Sequence, residues 1–217
     1  TQYKGSGDLV EQMRGGAPVD ILITASAGNH AQGVAYAAQA AGVSATIVMP
    51  TTTPLVKVNN TKDYGAKVVL HGETFDDAAE LAAEVGADGV HVGQQDMSPR
   101  QARAILGPNG IVGVSAHTVE EARAAQAEGA DYLGVGAVFV TGTKENTTPV
   151  DYETLKEICA AVDIPVVAIG GVGRNNLSSL AGSGIQGVAV VSALYAQPDV
   201  RAAARSLRSQ VEEILRG

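Results

Sequence analysis

One pattern recurs along the chain and limits what it can become: a helix-like stretch closes at a glycine, and a short apolar run follows at once. Gly42 precedes the run 46–49, Gly65 precedes 68–70, Gly86 precedes 89–92, Gly129 precedes 132–135 and Gly184 precedes 188–191. Glycine closes a helix because it enters the left-handed backbone region cheaply. Short continuous apolar runs after such stops read as parallel strands buried on both faces. Extending the reading to the whole chain predicts eight strands, near 21–24, 46–49, 67–70, 89–92, 111–114, 132–136, 165–169 and 188–191, each followed by a helical segment. A further helix is expected at about 7–14, before the first strand.

Eight βα units predict an α/β fold of the (βα)8, TIM-barrel-like type, because closing the sheet removes its exposed edges. An open doubly wound sheet is the alternative, with both edges in need of cover. The length, 217 residues, suits a single barrel domain over 1–217, since such barrels run to roughly 200–250 residues. Aromatic residues make up only 4% of the chain, so a core must come from Val, Ile, Leu and Ala. A net charge of -8 and the lack of a basic run argue against nucleic acid as a partner. A small phosphorylated ligand or inorganic phosphate remains compatible, since backbone amides can hold it. Cys159 is the sole cysteine, so no disulfide can form within the chain and a reducing, cytoplasmic setting is expected. No apolar run is long enough to span a membrane, and no membrane partner is expected. Nothing in the sequence specifies an oligomer.

In a βα barrel the chemistry lies where strands end and helices begin. From the fourth strand onward those ends carry Asp96, then Ser115, then Thr141, Gly142, Thr143 and Lys144, then Gly170 and Gly171, then Ser192. The residue types suit a phosphorylated ligand. Gly170-Gly171 lets amides approach phosphate oxygens, and a helix N-terminus after the seventh or eighth strand would add partial positive charge. The hydroxyls of Thr141, Thr143 and Ser192 can donate, Lys144 is a point charge, and Asp96 is a hard oxygen ligand for a magnesium ion. Taken singly, each has a plainer reading: a Gly-Gly turn, a Ser or Asp cap, or a structural His91 or His117.

The runs Gly89-Val90-His91-Val92-Gly93-Gln94-Gln95-Asp96, Gly113-Val114-Ser115-Ala116-His117 and Ala130-Asp131-Tyr132-Leu133-Gly134-Val135-Gly136 resemble the thiamine phosphate synthase family. So do Phe139 with Thr141-Gly142-Thr143-Lys144, Val166-Val167-Ala168-Ile169-Gly170-Gly171-Val172, and Gly187-Val188-Ala189-Val190-Val191-Ser192-Ala193. The likeness spans 84–217 as a half barrel of five βα units. It implies a reaction that joins a pyrimidine diphosphate to a thiazole phosphate and releases pyrophosphate, through a dissociative path in which the site stabilises the leaving group and a carbocation. It further implies Asp96 as a magnesium ligand, and Ser115 and Lys144 as catalytic contacts to the pyrimidine diphosphate. Thr141, Gly142, Thr143, Gly171, Val191 and Ser192 would hold the thiazole phosphate. A sister group, the thiazole tautomerases, shares the barrel, and the Thr-Gly-Thr-Lys run favours the synthase.

The first third departs from that pattern. The family's early Gln-hydrophobic-Arg-Glu-Lys segment and its Asn-Asp pair after the third strand are absent. Glu73, Asp76 and Lys4 are the residues that could replace them. The run Thr24-Ala25-Ser26-Ala27-Gly28-Asn29-His30-Ala31-Gln32-Gly33-Val34-Ala35 resembles fold-type II pyridoxal-phosphate enzymes such as threonine dehydratase and serine racemase, and Tyr64-Gly65-Ala66-Lys67-Val68-Val69-Leu70-His71-Gly72 continues the likeness to about Asp77. That likeness implies Lys4 as a remnant Schiff-base lysine and Asn29 as a remnant cofactor contact. The family's large domain and phosphate loop are missing, so bound pyridoxal phosphate is not expected. Three βα units over 1–83 and five over 84–217 then suggest an engineered or recombinant chimera. Electrostatic donors at an active site contribute roughly 3 kcal/mol each, so loss of the early-strand groups leads to the expectation of a phosphate-binding barrel with little or no catalysis. Thiamine phosphate synthase activity is the first alternative, and a pyridoxal-phosphate lyase or racemase the second.

Overall fold

Apolar runs and capped amphipathic stretches alternate in the structure as they do in the sequence. The computed structural model describes residues 21–25, 31, 35, 38, 39, 42, 44–74, 77, 80, 84, 89–139 and 149–216. The strands are β1 Ile21–Ala25, β2 Ser44–Met49, β3 Lys67–Leu70, β4 Gly89–Val92, β5 Ile111–Ala116, β6 Tyr132–Val135, β7 Val166–Ile169 and β8 Gly187–Ala189. Helices α1 Leu55–Asp63, α2 Pro99–Leu106, α3 Val119–Ala127, α4 Tyr152–Ala161, α5 Ser192–Tyr195 and α6 Val200–Arg216 lie between or after them. The extra helix expected at 7–14 lies outside the described residues.

Helix starts are set by side chains that accept from otherwise unpaired amides. Ser98 caps α2 in a reciprocal box with Gln101, with Pro99 at the first helical position. Thr118 caps α3 by accepting from the Glu121 amide, and Asp151 caps α4 by accepting from the Thr154 amide at 2.8 Å. The Thr154 amide and hydroxyl hold the Asp151 carboxyl below its ordinary range.

Among the described residues, hydrogen bonding gives two sheets, ordered β1-β2-β3 and β4-β5-β6-β7-β8. This differs from the single unbroken ring of eight strands that the repeat count predicts. The pairings of β1 with β2, β2 with β3, β5 with β6, β6 with β7 and β7 with β8 are parallel, as βα units require. The chain divides into two compact units, Thr1–Val90 and His91–Gly217.

In the first unit the helical residues Ala31, Ala35 and Ala38 pack with Ala45, Ile47, Met49, Val58 and Ala66. In the second, Val112, Val114, Ala116, Leu133, Val135, Val166 and Ala168 are buried on the strands, and Ala122, Ala125, Leu155 and Ile158 on the helices. Period-2 alternation sends the intervening residues to the opposite face. There His91, Ser115, Tyr132 and Val167 are half-buried, and Ile169 is 42% exposed. In β2 Ile47, Val48 and Met49 are all buried, as expected of a strand covered on both faces, but in the second unit that expectation is corrected. One face is closed by helices, and the other carries polar side chains and stays partly open.

Candidate functional site

Apart from Glu73, the sequence-predicted groups that are described lie in the second unit, at or near the C-terminal ends of β4 to β8. After β4 the chain turns tightly. The Gly93 amide donates to Asp96 Oδ2 at 2.6 Å, and the Asp96 amide donates back to the Gly93 carbonyl. Asp96 is exposed and does not cap α2, because Ser98 does. The Gln94 side-chain amide donates to the Ser115 carbonyl at 2.6 Å and fastens this turn to the end of β5.

Ser115 lies inside β5 rather than beyond it. Its Oγ is 2.9 Å from His91 Nε2, and His91 Nδ1 is 3.0 Å from the Tyr132 hydroxyl. The two rings tilt at 42° with centroids 5.4 Å apart. Three adjacent strands thus bring together three polar side chains, of which the strand-end reading singles out only Ser115. The sequence signal for His91 is its place beside fully buried Val92, which turns it to the opposite face. His117 is different: its amide and Nδ1 both meet Glu121 Oε2, at 2.7 and 3.1 Å, which ties it to the first turn of α3.

The ends of β6 and β7 are stitched together. The Val138 amide donates to the Ile169 carbonyl, and the Phe139 amide to the Gly170 carbonyl, at 3.0 and 3.1 Å. Gly170 and Gly171 have φ of 92° and 67°. A Cβ on Gly170 would lie 2.6 Å from Ala137, so only glycine fits at this crossing. Asn176, which sequence reasoning passed over, shapes the next turn. Its Nδ2 donates to the Gly171 carbonyl at 2.9 Å, and its Oδ1 accepts from the Gly173 amide at 2.8 Å.

After β7 stands a short 3-10 helix, Leu177–Leu180, and after β8 the four-residue α5. Neither is long enough to gather much macrodipole, so the expected helix-terminus charge at these two ends is corrected to a minor contribution. Ser192 opens α5 and is exposed, and Val191 precedes it in the capping position. Thr141, Gly142, Thr143 and Lys144, and likewise Lys4, Asn29 and Asp76, lie outside the described residues. Glu73 belongs to the first unit, where its amide donates to Asp77 Oδ2 at 2.9 Å.

Magnesium commonly keeps several waters and takes one or two protein carboxylates together with substrate phosphates. Exposed Asp96 fits that manner of binding. A protein-only cage is not present among the described residues, where no group of three or more His, Cys, Asp or Glu side chains gathers. Burial pushes the Cys159 thiol on α4 up to about 11, which suits a packed residue rather than a nucleophile. No described helix is long and apolar enough to cross a membrane.

A family model described as thiamine monophosphate synthase matches residues 57–194. A thiamine-phosphate synthase of Moorella thermoacetica is 46% identical over 152 residues, 70% of each chain. Another, from Pyrococcus furiosus, is 46% identical over 155 residues, 71% of this chain and 72% of its own. The solved thiamine phosphate pyrophosphorylase from Pyrococcus furiosus superposes with a TM-score of 0.60 at 32% identity, covering 90% of this chain and 96% of its own. A solved 3-hexulose-6-phosphate synthase, at 20% identity and a TM-score of 0.51, shares the fold alone.

These matches overturn the expectation of a phosphate-binding chimera with little or no catalysis. The relatives are synthases, and nothing in the comparisons shows a chimera or a pyridoxal-phosphate component. The family match begins at residue 57, inside the stretch to Asp77 that resembles pyridoxal-phosphate enzymes. The physical reason for the error is that both classes build parallel βα units. A helix stop at Gly65 followed by the apolar β3 is common to both and separates neither.

Proposed function

The chain belongs to the thiamine monophosphate synthase family, and on that premise we propose that it joins a pyrimidine diphosphate to a thiazole phosphate with release of pyrophosphate. The observation that carries the reading is the family match over 57–194, which contains every described strand end from β4 to β8. A dissociative reaction asks the site for two things: donors for the departing pyrophosphate and a surround that holds the cation until its partner closes on it. The Ser115 hydroxyl, on the open face of β5, supplies a donor. Lys144 adds a positive charge toward the same diphosphate. Thr141, Gly142, Thr143, Gly171, Val191 and Ser192 hold the thiazole phosphate. In that role the two glycines let backbone approach the anion, and the hydroxyls complete its hydrogen bonds.

Asp96 would hold a magnesium ion, whose chemistry is to neutralise charge on the diphosphate. The partner set is then small phosphorylated molecules. The parallel βα units and the likeness to the solved pyrophosphorylase further support a TIM-barrel-like reading of the fold. The test is direct. Purified protein with both substrates and magnesium is expected to yield thiamine phosphate and pyrophosphate in equal amounts. No product under conditions in which a 46% identical relative turns over would reject the assignment.

A further inference from the structure

Two glycines on neighbouring strands leave the space that two rings fill. A Cβ on Gly134 would come within 3.0 Å of His91 Cε1, and one on Gly113 would collide with the Tyr132 ring. Gly134 pairs in register with Ser115, and Gly113 with Tyr132, so slots and side chains belong to one patch of β4, β5 and β6. From this patch we infer that His91 is a positioning residue: held at Nδ1 by Tyr132, it donates from Nε2 to Ser115 Oγ and leaves the serine hydrogen free for a substrate oxygen. The inference rests on the synthase reading, which makes Ser115 a diphosphate contact.

The direction of the hydrogen bonds follows from what each group can give. A neutral imidazole carries one donor and one acceptor. With the hydrogen on Nδ1, His91 donates to Tyr132, and Nε2 must take the Ser115 hydrogen, which ties up the only donor Ser115 has. With the hydrogen on Nε2, Tyr132 donates to Nδ1 and Ser115 accepts, so its own hydrogen points elsewhere. A phenol, with a pKa of about 10, is a much stronger donor than an aliphatic hydroxyl. The second arrangement therefore gives the imidazole its better donor and gives the site a fixed serine hydrogen. The Gln94 bond to the Ser115 carbonyl also holds the serine backbone. A serine fixed in this way needs no reorganisation when negative charge builds up on the leaving group.

The experiment uses the full chain and the variants Tyr132→Phe, His91→Gln and His91→Leu. Tyr132→Phe keeps the ring in the Gly113 slot and removes only the hydroxyl, so the fold is retained and a thermal melt checks it. Its kcat is expected to fall about tenfold, the effect of one hydrogen bond, with KM changed less than kcat. His91→Gln keeps a donor and should retain more activity than His91→Leu. Long-range proton–nitrogen NMR of the His91 ring is expected to show the Nε2–H tautomer in the parent protein and a shift toward Nδ1–H in Tyr132→Phe. An Nδ1–H tautomer in the parent, or an unchanged kcat in Tyr132→Phe, overturns the inference while leaving the synthase reading standing. Loss of product in the parent protein overturns the synthase reading instead, and the ring tautomer still decides the hydrogen-bond direction.

Discussion

Replacing Gly170 with Ala loads the crossing between the ends of β6 and β7. Two costs can be worked from the structure. The residue has φ of 92°, where a side chain is strained, at about 1–3 kcal/mol. The new Cβ would lie 2.6 Å from both Cα and Cβ of Ala137, and overpacking of this kind costs about 1–3 kcal/mol. Together they amount to roughly 2–6 kcal/mol, against a total stability of roughly 5–15 kcal/mol for an ordinary domain. The chain can relieve the clash only by moving Ala137 away, which pulls on the bonds from Val138 to Ile169 and from Phe139 to Gly170. Those bonds fix the segment that leads into Thr141. Gly173→Ala is the matched control, because its Cβ would meet Ala193 at 3.9 Å, an ordinary contact. Urea unfolding should place Gly170→Ala at least 2 kcal/mol below the parent and Gly173→Ala within about 0.5 kcal/mol. Steady-state kinetics should show a raised KM for the thiazole phosphate in the first variant only. Equal stability and equal KM in the two variants would refute the reasoning.

Three further outcomes follow from the same geometry. Inorganic phosphate should bind weakly, and the affinity should drop about tenfold in Ser192→Ala and in Thr143→Ala; calorimetry that shows unaltered affinity in both removes the proposed phosphate contacts. Asp96→Asn should raise the magnesium concentration needed for half-maximal turnover by tenfold or more, on the order of the loss of one charged ligand, and an unchanged magnesium titration would count against Asp96 as the metal ligand. Cys159 should react slowly with iodoacetamide at pH 8, because burial holds its thiol neutral up to about 11. The sign for stability follows from that shift. The folded chain keeps the Cys159 proton while the unfolded chain loses it near 9.0, so this residue's contribution to stability is present below that pH and declines as pH rises toward 11. Rapid alkylation in the native protein would contradict the packed environment.

The strands were legible because a glycine stop followed by a short apolar run leaves little choice of structure. Each expected strand meets an observed one, and the misplaced ends have local causes. The sixth strand was expected to reach residue 136 but stops at Val135, and at Gly136 a side chain would collide with the Ile169 carbonyl. The eighth was expected to reach 191 but ends at Ala189, and Val191 has already left strand geometry with ψ of -72°. Asp96 and Ser192 were readable as strand-end residues. His91 and Tyr132 were not, because their meaning lies in contacts across three strands that no single run of sequence displays. Asn176 was missed for a related reason: an asparagine in a loop gives no sign of which amide and carbonyl it bridges. The likeness of 1–77 to another enzyme class was carried chiefly by the run from Thr24 to Ala35, and from residue 57 onward it overlaps the family match, where a helix stop and an apolar strand serve both classes.

A crystal structure of the protein grown with magnesium and pyrophosphate tests whether one pocket at the ends of β4 to β8 does the chemistry. Density for the anion between Ser115 and the turn that follows β7, with the metal against Asp96, is the predicted result. An anion held on another surface, with these side chains pointing apart, would contradict the account.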